Sequence, residues 1–99
     1  MSATAPVSPY TLLVVIHDSA SELQGLLDSV GRHLNPRPPI VVVDNASHDD
    51  GAALALGQGA EVVTMADNAG FGAANNAGLA RVSSPVTVLV NWAAALKKP

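Results

Sequence analysis

Acidic, amide and hydroxyl side chains follow the apolar run at residues 40–43, and their types suit a binding site for a polar ligand. Asp44 is the strongest single candidate, because an acidic residue at the end of a buried strand can accept hydrogen bonds from a ribose hydroxyl or a base N–H. Asn45 and Ser47 lie directly beyond it. The alternative for Asp44 is a cap or an Asx-turn for the helix that follows. We favour the ligand role, because Ser47 is itself expected to cap that helix.

Residues 68–78 combine glycines with amide side chains. Asn68 begins this stretch, and Gly70 and Gly72 permit a tight turn and a close approach of the backbone to a ligand. The N–H groups at the start of the helix predicted to follow favour an anion such as phosphate. The stretch is not the dinucleotide fingerprint, because its third glycine position is taken by Asn75 and it follows the third apolar run rather than the first.

Asn75 and Asn76 are further candidates, because both fall inside the predicted third helix. Asparagine in a helix costs on the order of a few tenths of a kcal/mol relative to alanine. The sequence fills most neighbouring positions with alanine or glycine, so the two amides favour a binding role. The alternative is a polar pair that faces solvent.

The three histidines have no metal-ligand spacing. His33 is expected on the surface near a helix end, whereas His17 and His48 follow apolar runs and are expected to line a crevice. Aspartates lie beside these two histidines: Asp18, Asp49 and Asp50. A metal site is one interpretation of this group, and helix capping is the favoured one. The sequence carries no G-x-S-x-G elbow, Ser-His-Asp order or P-loop.

Composition limits the classes of protein to which the chain can belong. The chain has 99 residues, the size of one domain or part of one, and 48% are hydrophobic, which excludes a disordered polar chain. Five basic residues against eight acidic ones give a net charge of −3, so no nucleic-acid partner is expected. The absence of cysteine excludes disulfides and thiol chemistry. No apolar run approaches the roughly 18 residues of a membrane span, so no membrane segment is expected.

Four apolar, β-branched runs of strand length must position the candidate residues: 11–16, 40–43, 61–65 and 86–90. Continuous apolar runs are typical of strands that are covered on both faces, as in parallel sheets. The segments between the runs predict helices, and an alternation of strands and helices indicates a parallel sheet with right-handed crossovers. Ligands of such sheets bind beyond the carboxyl ends of the strands, which is where the candidate residues lie.

The first predicted helix begins after Ser19, which fits a capping box with Glu22. Its apolar residues share one face of a helix: Leu23, Leu26, Leu27, Val30 and Leu34. The second predicted helix follows residues 47–50 and stops at the glycines at 57 and 59. The third lies between Gly70 and Arg81, with a close-packing face of alanines: Ala73, Ala77 and Ala80.

Two of these stretches resemble glycosyltransferase family 2. Residues 41–51, VVVDNASHDDG, resemble the VVVDNAS-x-D-G segment of that family. Residues 68–78, NAGFGAANNAG, resemble its N-x-G-F-(A/G)-x-x-N-N-x-G segment, as in rhamnosyltransferase-like members. Residues 14–20 are similar to the opening strand and turn, and residues 86–91 to the strand that ends in N-P-D. Order and spacing agree over residues 10–91.

The resemblance implies the N-terminal part of a GT-A fold: a Rossmann-like three-layer α/β/α domain with a four-stranded parallel sheet in the order 3-2-1-4. This half of the fold binds the nucleoside diphosphate of a nucleotide-sugar donor, of UDP or dTDP type. By resemblance, Asp44 contacts the base, the turn at His17 and Asp18 lies beside it, and residues 68–76 border the nucleotide and sugar. The implied nucleotide-binding residues are His17, Asp18, Asp44, Asn45, Ser47, Asn68, Gly70, Gly72, Asn75 and Asn76.

The sequence departs from the family after the fourth apolar run. The family places there a carboxylate that holds a divalent metal, Mg²⁺ or Mn²⁺, on the diphosphate, and such a metal offsets charge on the departing group. This chain has Asn91, Trp92 and Ala93 instead, so Asn91 is only a weak metal candidate. The family's general base lies further downstream. We therefore expect an N-terminal fragment of a glycosyltransferase that is inactive alone.

Two alternatives to that reading stay open. One is a non-catalytic module that binds a nucleoside diphosphate. The other is an assembly fragment without ligand, because residues 86–90 are expected to form an open sheet edge, and long apolar edges promote association between chains. Either alternative is compatible with a homo-oligomer that forms through this edge.

The expected domain organisation is a disordered leader at residues 1–9, one nucleotide-sugar-binding domain at residues 10–91 and a tail at residues 92–99 that matches nothing in the family. The leader lacks the basic start and the long apolar stretch of a secretory signal. A cytoplasmic location is therefore expected.

Overall fold

A computed structural model describes residues 8–90 of the chain. Seven elements follow one another in it: β1 (Tyr10–Ile16), α1 (Ala20–His33), β2 (Ile40–Asn45), α2 (Gly51–Gly57), β3 (Glu61–Met65), α3 (Phe71–Leu79) and β4 (Val86–Val90). The strands form one four-stranded parallel sheet in the order β3-β2-β1-β4. The predicted α/β class and strand order are confirmed. Asn91, the tail and the leader up to residue 7 lie outside the described residues.

The strand order explains why the helices lie on two faces of the sheet. The steps from β1 to β2 and from β2 to β3 run in one direction, so right-handed crossovers place α1 and α2 on the same face. The step from β3 to β4 runs back across the sheet, so α3 lies on the opposite face. The three layers predicted from the sequence are therefore present.

The face beneath α1 and α2 holds the larger of the two cores. Leu23, Leu27 and Val30 of α1 are buried, and Leu26 and Leu34 pack at the margin, as the helical spacing predicts. The rest of this core comes from the strands, from α2 and from the turn between α2 and β3: Leu12, Val14, Ile16, Ile40, Val42, Ala55 and Ala60. Since apolar burial is the main favourable term in folding, this face supplies most of the stabilisation.

The face beneath α3 is packed through small residues and a close backbone approach. Ala74 and Gly78 are the buried residues of α3, and they lie over Leu13, Val41 and Val43. A Cβ at Gly78 would lie 2.7 Å from Cγ2 of Val43 and would also overlap the Leu13 side chain. The helix therefore approaches the sheet more closely than any other residue at this position would allow.

The alanine face predicted for α3 is wrong. Ala73 and Ala80 are exposed, and Ala77 is half-buried. The contact at Gly78 sets the rotation of the helix, and the residue four positions earlier, Ala74, turns inward with it. Alanine spacing carries too little contrast in hydrophobicity to determine that rotation.

The capping box predicted at the start of α1 does not form. The Ser19 hydroxyl donates to the carbonyl of His17 at 2.9 Å, and Glu22 accepts a hydrogen bond from the Ser21 hydroxyl. The N–H of Ala20 donates instead to Oδ2 of Asp49 at 3.0 Å. A carboxylate from the loop after β2 thus caps α1, because the ends of parallel neighbours β1 and β2 bring their loops together.

The strand bounds differ from the predicted ones by one or two residues. β1 begins one residue earlier, at Tyr10, and β2 continues through Asp44 and Asn45, which pair with Thr64 and Met65 of β3. β3 and β4 have the predicted bounds. Within residues 8–90, none of the three helices has the length and apolar character needed to cross a bilayer.

Candidate functional site

The loops beyond β1, β2 and β3 meet at the carboxyl edge of the sheet and are joined by hydrogen bonds. His17 follows β1, and its ring Nδ1 lies 2.8 Å from the carbonyl oxygen of Asn45 at the end of β2. A carbonyl oxygen can only accept, so Nδ1 of His17 carries the proton. This bond fixes the imidazole at the edge and leaves its Nε2 directed toward the neighbouring Asp18, at 3.6 Å from Oδ2.

Asp18 joins the loop after β1 to the loop after β2. Its N–H donates to the Ser47 hydroxyl at 3.0 Å, and its Oδ1 accepts the N–H of His48 at 2.6 Å. Asp18 has a φ of 51°, in the left-handed region that aspartate tolerates better than most residues. The exposed imidazole of His48 lies 3.7 Å from Oδ2 of the same carboxylate.

The pKa of the Asp18 carboxyl is lowered from its ordinary value of 3.8. The hydrogen bond from the backbone N–H of His48 is the largest cause, because it stabilises the charged carboxylate. The nearby imidazoles of His17 and His48 add a smaller effect in the same direction, and desolvation opposes it. The edge therefore holds a negative charge at Asp18 through neutral pH and well into the acidic range.

Asp44 is buried, with only 6% of its surface exposed, and it organises the turn after β2. Its Oδ1 accepts the N–H of Ser47 at 3.0 Å. This hydrogen bond is the turn that the sequence offers as the alternative to ligand binding. The argument that Ser47 caps α2 and so frees Asp44 is wrong, since the Ser47 hydroxyl accepts from Asp18 and the N–H of Gly51 donates to Asp49. Oδ2 of Asp44 accepts no hydrogen bond from the side chains and backbone of residues 8–90.

Asn45 connects the end of β2 to the segment that precedes α3. Its side chain is buried, with 4% exposed, and its Nδ2 donates to Oδ1 of Asn68 at 2.8 Å. Its Oδ1 accepts the N–H of Ala69 at 3.0 Å. Both polar atoms of the amide are thus used to hold residues 68 and 69 against the sheet. Gly70 follows with a φ of 84° and opens α3.

The predicted nucleotide-binding residues fall into two groups in the structure. Six of them lie at the carboxyl edge in two separate sets of hydrogen bonds, one that joins His17, Asn45 and Asn68 and one that joins Asp18, Ser47 and Asp44. The other four belong to the start and body of α3: Gly70, Gly72, Asn75 and Asn76. Asn75 donates from Nδ2 to the carbonyl of Phe71, one turn earlier, whereas Asn76 is exposed. Their part in ligand binding stays a prediction.

Among the described residues, the side chains at this edge form no metal site by themselves. Within residues 8–90, no three His, Asp or Glu side chains come together in a way that could hold an ion. Both oxygens of Asp49 accept backbone N–H groups, from Ala20 and Gly51, which agrees with the capping interpretation. Asn91, the weak metal candidate, lies outside the described residues.

Sequence reasoning missed two hydrogen-bond partners at this edge. Asp49 caps a helix that precedes it by 29 positions, and Asn45 holds a segment 24 residues further along the chain. Neither partner is visible in local spacing. The sequence offers one signal: two polar residues, Asp44 and Asn45, directly follow the apolar run at residues 40–43. Polar side chains at the end of a buried strand need hydrogen-bond partners, so partners in other loops were to be expected.

Comparison with known proteins gives one match that covers most of the chain. Residues 11–91 match the model of a family described as glycosyl transferase family 2. This range includes every described element except the first residue of β1. No curated protein matches the chain.

Proposed function

The chain belongs to glycosyl transferase family 2, and we propose that its carboxyl edge binds the nucleoside diphosphate of a nucleotide-sugar donor. The proposal assigns a UDP or dTDP type of donor and a rhamnosyltransferase-like ancestry. Sugar would be transferred to an acceptor hydroxyl by the complete enzyme. The 99-residue chain by itself would bind the donor without transferring the sugar.

The buried carboxylate of Asp44 is the observation that carries this proposal. One of its oxygens holds the turn at Ser47, and the other has no partner among residues 8–90. A carboxylate oxygen that accepts no hydrogen bond within the protein is suited to accept one from a ligand. A base N–H or a ribose hydroxyl is a donor of the required kind. The fixed ring of His17, held by Asn45, would lie at the same edge.

The start of α3 supports a place for the diphosphate. The Asn45 side chain fixes residues 68 and 69, and Gly70 with its positive φ then turns the chain into the helix. The first N–H groups of a helix have no partner within it, and they favour a negative charge. Residues 68–72 are exposed, so a ligand can reach them.

The proposal involves neither a metal ion nor the transfer step of the family. The described side chains form no cluster for an ion, so no step of the proposal passes through a metal. Residues 91–93 are Asn, Trp and Ala, where the family places a metal-binding carboxylate. This departure supports donor binding without that carboxylate.

Titration calorimetry with UDP and dTDP tests the proposal. We expect binding by the wild-type chain, and we expect Asp44→Asn to weaken it by about tenfold to a hundredfold, the effect of losing one hydrogen bond to a charged group. The asparagine keeps an oxygen that can accept the Ser47 N–H, so the turn is preserved. Asp28→Asn, on the exposed surface of α1, is the matched control and should bind as the wild type does.

Repeating the titration with Mg²⁺ or Mn²⁺ separates the remaining alternatives. Affinity that rises with either ion would support the metal role implied by the family. Unchanged affinity would indicate a metal-independent nucleotide-binding module. Undetectable binding of both nucleotides, with or without metal, would contradict the proposal, as would an Asp44→Asn variant that binds as tightly as the wild type.

A further inference from the structure

Two hydrogen-bond acceptors at the carboxyl edge face each other without a donor between them among residues 8–90. Nδ1 of His17 donates to the carbonyl of Asn45, so Nε2 of the neutral imidazole carries a lone pair. This Nε2 lies 3.6 Å from Oδ2 of Asp18, which is longer than a hydrogen bond. The ring of His48, at 3.7 Å from the same oxygen, is also too distant to donate. We call Nε2 of His17 and Oδ2 of Asp18 the acceptor pair.

The acceptor pair is held in place and is open to a ligand. The bond to Asn45 fixes the ring of His17. Asp18 is fixed by its own N–H, which donates to Ser47, and by its Oδ1, which accepts the N–H of His48. The side chains of His17 and Asp18 are 41% and 45% exposed. Acceptors that are already positioned cost little ordering entropy when a ligand supplies the donors.

We infer that the acceptor pair binds the ribose of the nucleotide through its adjacent 2′ and 3′ hydroxyls. The inference rests on the proposed function, which brings a nucleoside to this edge. One hydroxyl carries one proton, so two acceptors need two O–H donors. A vicinal diol supplies two donors side by side, one for Nε2 of His17 and one for Oδ2 of Asp18. A 2′-deoxyribose supplies only one.

This assignment divides the donors of the nucleoside between two places at the edge. The ribose diol takes the acceptor pair, and Oδ2 of the buried Asp44 is left for an N–H of the base. A site that hydrogen-bonds a hydroxyl discriminates against the analogue without it, because an acceptor loses its partner. The acceptor pair therefore selects a ribonucleotide, and of the two proposed donor types it favours UDP over dTDP.

Titration calorimetry with UDP and 2′-deoxy-UDP, on the full 99-residue chain, tests the inference. The two ligands differ only in the 2′ hydroxyl, so base and diphosphate are matched. At pH 8, which favours the neutral imidazole, UDP should bind about tenfold more tightly, the effect of one hydrogen bond to a charged group. dTDP, which also lacks the 2′ hydroxyl, should bind with the lower affinity.

Asp18→Asn tests whether the acceptor pair is the source of this preference. Asparagine tolerates the φ of 51° at residue 18 and keeps an oxygen for the N–H of His48. Its amide nitrogen would donate toward Nε2 of His17 and so remove both acceptors. The preference for UDP should disappear. Asp50→Asn is the matched control, because it removes an exposed carboxylate that makes no capping hydrogen bond. It should keep the preference.

The outcomes separate this inference from the proposed function. Measurable but equal affinities of the wild type for UDP and 2′-deoxy-UDP would overturn the inference and leave nucleotide binding in place. An Asp18→Asn variant with native circular dichroism that still prefers UDP would overturn it as well. If that variant does not fold, the wild-type comparison alone decides. Undetectable binding of both nucleotides would contradict the proposed function, and the inference with it.

Discussion

The two faces of the sheet are covered in different ways, and the candidate site depends on the face beneath α3, where small residues make the contact. Under α1 and α2, large side chains such as Leu23 and Leu27 fill a broad core. Under α3, contact is made by Ala74 and Gly78, close to the backbone. Loss of a large side chain is therefore expected to destabilise the first face most. On the second face a Cβ at Gly78 would overlap Leu13 and Val43, and this is the face that positions residues 68–76.

The largest expected loss of stability comes from the broad core. Leu23 is fully buried, and Leu23→Ala would leave a cavity beneath α1, so we expect the free energy of unfolding to fall by about 2–5 kcal/mol. Urea denaturation followed by circular dichroism measures it. Leu56→Ala, which shortens an exposed leucine, should change the value by less than about 0.5 kcal/mol. Similar losses from both variants would show that α1 does not cover the sheet as described.

The next largest effect concerns the close approach of α3. Gly78→Ala adds a methyl group against Val43 and Leu13, so overpacking should lower the free energy of unfolding by about 1–3 kcal/mol. Gly25→Ala is the matched control: its added Cβ meets nothing within 4 Å. It should stabilise the chain by up to about 1 kcal/mol, the helix-propensity difference between glycine and alanine. A Gly78→Ala variant that is also stabilised would contradict the packing that rotates Ala74 inward.

These two faces also show what the sequence could and could not predict. The continuous β-branched runs predicted all four strands, although only β1 and β2 are buried on both faces and β3 and β4 are not. The leucine spacing of α1 predicted its buried stripe. The buried face of α3 was not predictable, because a helix made mainly of alanine, glycine and asparagine has little hydrophobic contrast. The orientation of α3 follows from Gly78 and from the strand residues beneath it, Leu13 and Val43.

The candidate site, too, was predictable from the sequence only in part. Parallel strands bring their carboxyl ends to one edge, so the meeting of His17, Asn45 and Asn68 was predictable from the order of the elements. The hydrogen-bond partners were not. Capping of α1 by Asp49 and the bond between Asn45 and Ala69 depend on loop geometry that residue spacing does not encode.

A smaller effect on stability is expected at Asn45, which joins the sheet to the segment before α3. Asn45→Ala removes the side chain that holds residues 68 and 69, and it leaves the Ala69 N–H without its partner, so the free energy of unfolding should fall by about 1–3 kcal/mol. Hydrogen exchange at Ala69 should accelerate more than at amides of β1. Asn76→Ala, on the exposed side of α3, should leave that exchange unchanged. Unchanged protection of Ala69 in Asn45→Ala would show that the amide does not fix this segment.

The smallest expected effect is the dependence of stability on pH that Asp18 contributes at the carboxyl edge of the sheet. Its pKa is lower in the folded chain than the ordinary 3.8, so the folded state favours the charged form. The resulting stabilisation is fully present above the unfolded pKa and is lost as the pH falls through the folded pKa. NMR titration of the carboxyl carbon should give a pKa below 3.8. His48→Ala should leave most of this lowering in place, because the main cause is the backbone N–H of residue 48 and the substitution keeps it. A pKa that returns to the ordinary value in that variant would show that the imidazole, and not the turn linking the two loops, holds the charge on Asp18.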